Sequence, residues 1–135
     1  MIRQAALVAV ISGGLCGLAT PSLATEWVNC ADAAGAASFS YLAGSLDALS
    51  IVGLNISVGD TVWASDVVYG PGDPVAVGQA FATPDTVLVD AYTPDMVSLV
   101  AQLRLFKAGE GDSYVQGGTL RLPGRGAWAV SCSGP

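Results

Sequence analysis

The side chains able to do chemistry in this chain are nearly all carboxylates. Eleven aspartates and glutamates stand against five lysines and arginines in 135 residues, and histidine is absent. That absence removes the commonest general base and the commonest metal-binding side chain. Nucleophilic catalysis would have to couple a serine to Lys107, the only lysine, and no motif marks such a serine. Lys107 reads instead as solvated charge at the end of an element. A carboxylate pair working as acid and base needs one acid in an apolar pocket that raises its pKa. Most acids here sit beside Gly or Pro, in turns where they hydrogen-bond their own backbone. Asp90, inside the run Val87–Ala91, is the exception. The expectation is a protein that is not an enzyme.

Calcium is the one cofactor these acids suit, because it takes about six to eight oxygen ligands and needs no histidine. Asp90 and Asp95 belong to one inter-strand connection, and Asp60 and Asp66 flank Trp63. If the loops that carry them share one end of the fold, Asp60, Asp66, Asp90 and Asp95 are the candidate ligands. The alternative is that they are surface acids that keep the chain soluble. Trp27, Trp63, Tyr69 and Tyr92 are candidates for a carbohydrate platform, against the commoner role of aromatic rings in a core. Asn55-Ile56-Ser57 is a glycosylation sequon in mid-strand and reads as incidental.

Residues 1–24 have the form of an export signal. Arg3 gives the positive start, Ala5 to Ala19 the apolar stretch, and Ser22-Leu23-Ala24 the small-residue site, so cleavage is expected after Ala24. The apolar stretch is too short and glycine-rich to span a membrane, and nothing later is long enough. Cys16 leaves with the signal. Cys30 and Cys132 remain, and an oxidising compartment pairs them. On a chain-entropy model, closing a loop of about 100 residues is worth about 4.7 kcal/mol.

The mature chain, residues 25–135, keeps eleven acids and four bases, a net charge of −7. That balance argues against nucleic acid, which needs clustered cations. With 15 charged residues in 111, the charged fraction falls well below the usual figure of about 25%. Sparse charge leaves room for an apolar patch and a protein or glycan partner.

Turn signals recur at Gly59-Asp60, Gly70–Pro74, Thr83-Pro84-Asp85, Thr93-Pro94-Asp95, Gly109–Asp112 and Pro123-Gly124. The short segments between them alternate at period two: Phe39 and Tyr41, Leu54 and Ile56, Val87 and Val89, Leu120 and Leu122, Trp128 and Val130. Leu49 and Ile51 fall on the opposite parity from Leu54 and Ile56, which a bulge near Gly53 reconciles. The pattern predicts an all-β, single-domain antiparallel β-sandwich tied end to end by Cys30–Cys132. Residues 93–108 carry two readings. Thr93-Pro94-Asp95 with Met96, Leu99, Val100, Leu103 and Phe106 fits a helix; Leu99, Ala101, Leu103 and Leu105 fit a strand that turns at Gly109–Asp112 into a hairpin. The β context favours the strand. The functional expectation is a periplasmic or secreted protein with a non-enzymatic binding or structural role. A calcium-dependent module and a carbohydrate-binding or inhibitor-like module are the alternatives.

Overall fold

Alternating side chains build one wall with an apolar inner face. The computed structural model describes residues 25–44 and 47–135, so the export signal expected over 1–24, with its cleavage after Ala24, lies outside the described residues. The described residues form β1 (Glu26–Ala31), β2 (Ala37–Ala43), β3 (Ile51–Val58), β4 (Thr61–Ala64), β5 (Asp73–Pro74), β6 (Ala76–Ala82), β7 (Thr86–Tyr92), β8 (Leu99–Glu110), β9 (Ser113–Leu122) and β10 (Gly126–Ser133), with one 3-10 turn at Val67–Tyr69.

The ten strands make a single sheet in the order β5-β4-β3-β2-β1-β10-β9-β8-β7-β6. Two meanders, β1 to β5 and β6 to β10, therefore run outward from the β1–β10 pair. All neighbours are antiparallel except β4 and β5, which share a two-residue parallel bridge, Trp63 opposite Asp73 and Ala64 opposite Pro74. Only Val75 separates β5 from β6, and its N–H donates to the Ala64 carbonyl at 3.1 Å. The run from Asp73 to Ala82 thus meets β4 at its start and β7 along the rest, and the sheet nearly closes into a barrel. The fold is all-β as expected, and the two facing layers are the two halves of this one curled sheet.

The inward residues form one core that draws on both meanders. Phe39, Leu54 and Ile56 from one half and Val89, Leu103 and Leu120 from the other are all fully buried. Residues 99–110 are strand, with Ala101, Leu103 and Leu105 pointing inward. The apparent helix start serves a loop instead. Met96 N–H donates to the Thr93 carbonyl at 2.8 Å and Ser98 N–H to Thr93 Oγ1 at 3.1 Å. Local helix signals lose here because the strand buries three residues on a shared core.

The register between β2 and β3 shifts after Leu42–Gly53, so that Ala43 faces Ile51 and Val52 is the extra residue. That is the bulge expected from the change of parity near Gly53. Pro123-Gly124 closes a tight turn: Arg125 N–H donates to the Leu122 carbonyl at 2.9 Å and Gly124 has a φ of 77°. Proline then glycine is the pair that such a turn favours. Cys30 and Cys132 form the expected disulfide and are direct partners across β1 and β10.

A candidate contact surface on the outer wall

Strand directions decide where the four aspartates go. The connections after β1, β3, β7 and β9 lie at one end of the barrel, and those after β2, β6 and β8 lie at the other. Asp60, between β3 and β4, and Asp95, between β7 and β8, share the first end. Arg125 reaches across that end, donating to Thr61 Oγ1 at 3.1 Å and stacking 4.8 Å above the Trp63 ring.

The other two aspartates lie elsewhere. Asp90 is in the wall on β7 and is only 5% exposed. Its carboxylate accepts from Arg104 Nη1 at 2.7 Å, so this buried acid, the exception in the sequence, is neutralised by a neighbour on β8. Asp66 caps the 3-10 turn, accepting from Val68 N–H at 3.0 Å. Asp95 accepts from the Thr93 hydroxyl and from Val97 N–H, and these bonds hold its carboxyl below the usual aspartate range. Among the described residues, no three or more potential metal-binding side chains gather.

The aromatic candidates are packed. Trp63 is buried beneath Arg125. Tyr92 is half-buried, with its ring where a β-carbon on Gly78 would lie. Tyr41 is buried on the inner face, and its phenol is pushed up to about 12 by loss of solvent and then by the neighbouring Tyr114. Trp27 is on the outer face and belongs to a small structure of its own.

That structure is the excursion between β4 and β5, residues 65–72. Ser65 keeps it attached to β3, donating its N–H to the Leu54 carbonyl at 3.0 Å and accepting from Leu54 N–H at 2.8 Å. The chain then turns through Val67–Tyr69 and ends at Gly70, whose N–H donates to the Val67 carbonyl and whose φ is 135°. Tyr69 is the anchor. Its ring lies flat on Gly53, where a β-carbon would come within 2.8 Å of it. It meets the Trp27 ring edge-on at 5.7 Å between centroids. Asn55 donates from Nδ2 to the Tyr69 carbonyl at 2.8 Å, so the sequon asparagine has a structural use.

No protein-family model, no curated protein and no solved structure matches this chain.

With its base held in this way, the turn presents Val67 and Val68 outward at 89% and 76% exposure. A groove of about 690 Å³ runs beside them, lined in part by Ala64, Asp66, Pro71 and Pro74. An apolar crest on a rigid base is suited to contact, because little conformational entropy remains to be lost on binding. Sequence reasoning marked Asp66 as a ligand and Tyr69 as a platform, and missed the turn. The available signal was Asp66 two residues before Val68, with Gly70 as the stop, which is a cap at each end of a single turn.

Proposed function

We propose that this is an exported protein with a non-enzymatic binding or structural role in the cell envelope or outside the cell. Its primary contact surface is the crest Val67–Val68. The observation that carries the reading is that, among the described residues, the two most exposed large apolar side chains, save for Val97, stand next to each other on a turn fixed from below. The Cys30–Cys132 disulfide suits an oxidising compartment. No helix among the described residues is long and apolar enough to cross a membrane. The packed state of Trp27, Trp63, Tyr69 and Tyr92 favours a protein over a glycan as the partner, since stacking on sugars needs a free ring face.

A photoreactive side chain at Val67 of the exported protein tests this. The expected result is a discrete protein adduct absent when the same group replaces Ala33, an exposed residue of the β1–β2 connection. Adducts no stronger than at Ala33 would overturn the reading.

A further inference from the structure

We infer that the mouth of the barrel beneath the β8–β9 hairpin is a binding site for a small carboxylate, held by Gln116 and Lys107. The site uses no residue of the Val67–Val68 crest and stands or falls separately from it.

Alternation puts a polar pair on the inner face. Leu120 and Leu122 of β9 point inward, and Gln116 has the same parity. Ala101, Leu103 and Leu105 of β8 point inward, and Lys107 has the same parity. The two residues are direct partners across the hairpin. Gln116 is only 6% exposed, and its Nε2 has no hydrogen-bond partner among the described residues. Lys107 is half-buried. The other cations of the described residues are engaged: Arg104 on Asp90, Arg121 on Gln102, and Arg125 on Thr61 and Trp63. Lys107 forms no salt bridge. Its neighbouring acids, Asp85 in the turn before β7 and Glu110 and Asp112 at the hairpin tip, are all exposed.

Two phenols complete the set. Tyr114 lies one inward step nearer the hairpin tip and donates its hydroxyl to Gln116 Oε1 at 3.4 Å. That is long beside the usual O–H···O distance of about 2.7–2.8 Å. Tyr41 on β2 is near enough to Tyr114 for the two phenols to oppose each other's ionisation. β2 and β9 therefore approach across the mouth, although β1 and β10 lie between them in the sheet.

Ammonium, amide and hydroxyl groups all donate hydrogen bonds, and no carboxylate stands among them. A buried N–H without a partner carries its full desolvation cost. A carboxylate answers both deficits, because it only accepts hydrogen bonds and brings one negative charge for one lysine. The hairpin supplies the way in. Its pairing with β7 ends at Phe106 and its pairing with β10 at Gly117. Residues 108–115 have only each other as strand neighbours, and such a ribbon holds its position weakly. Lifting its tip moves Tyr114 off Gln116 and leaves the barrel ladders intact.

NMR titration of oxidised, 15N-labelled residues 25–135 with acetate at constant ionic strength tests the inference, with inorganic phosphate as the contrasting anion. The side-chain amide signals of Gln116 should shift saturably with acetate, at a Kd of about 1 mM, and not with phosphate. Gln116→Leu and Lys107→Met should each weaken acetate binding at least tenfold. Gln116→Leu should also unfold at a higher urea concentration than the wild type, because it removes a buried donor that has no internal partner. No saturable shift, or binding unchanged in Lys107→Met, would overturn the site. An equal response to phosphate would overturn the carboxylate as its ligand. A Gln116→Leu protein that unfolds at lower urea, or fails to fold, would show that the amide serves the barrel itself and would overturn the inference.

Discussion

Cys30 and Cys132 face each other across the one strand pair that joins the two meanders, in a ladder of only three residue pairs from Asn29–Ser133 to Ala31–Ser131. Elsewhere each strand lies beside its neighbour in sequence, and the far seam is held by two bridge residues and one further hydrogen bond at Val75. The disulfide therefore reinforces a short seam as well as closing a separation of 102 residues.

Replacing both cysteines by serine should cost about 3–5 kcal/mol, the range for a native bridge closing a long loop. Urea unfolding of the oxidised and double-serine proteins measures it. A loss under about 1 kcal/mol would mean that the β1–β10 ladder and the shared core hold the seam unaided.

Gly53→Ala should displace Tyr69. The new methyl would fall 2.8 Å from the ring, so the ring must leave or the strand must shift, at about 1–3 kcal/mol. The expected signature is a change in Trp27 fluorescence, because the edge-on contact at 5.7 Å is lost. Gly35→Ala is not a suitable control, since its φ of 70° strains any side chain; Ala33→Ser serves instead.

Much of the barrel was legible in the sequence because burial imposes period two. Phe39, Tyr41, Leu54, Ile56, Val87, Val89, Leu120 and Leu122 all point inward as their alternation implies. The parity change at Gly53 marked the bulge, and the cysteine count left a single pairing. What was not legible depends on contacts between segments distant in sequence. Nothing in Asp73-Pro74 alone shows that it bridges β4, nor in Gly53 that Tyr69 lies on it. Asp90 alternates outward yet is buried, because Arg104 on the next strand covers its charge. Where the four aspartates lie is set by strand direction, which no local run of residues carries: Asp60 and Asp95 share one end of the barrel, Asp90 is in the wall and Asp66 caps the turn after β4.

Stability should fall in alkali. The Tyr41 phenol is raised from an ordinary value of 10.0 to about 12 in the folded protein. The unfolded chain therefore loses its proton first. The stability due to Tyr41 is complete below pH 10 and is lost as pH rises toward 12, about 3 kcal/mol in all. Denaturant midpoints across this range should drop in the wild type and drop less in Tyr41→Phe. Equal slopes would place the alkaline loss elsewhere.

Calcium should not stabilise the folded protein. Asp90 is engaged by Arg104, Asp66 and Asp95 by local donors, and only Asp60 and Asp95 share an end of the barrel. Thermal unfolding in about 10 mM calcium should match unfolding in EDTA at equal ionic strength, whereas a site of millimolar affinity would add more than about 1 kcal/mol. A calcium-specific rise of several degrees would show that the aspartate loops rearrange around the ion.

Tyr69 and Asn55 should hold Val67 and Val68 rigid before any partner arrives. Backbone NMR order parameters of residues 25–135, isolated and kept dilute, measure this directly. Both valines should give values near 0.85, like the strands on either side. Values below about 0.6 would show a mobile loop and would contradict a pre-built contact surface.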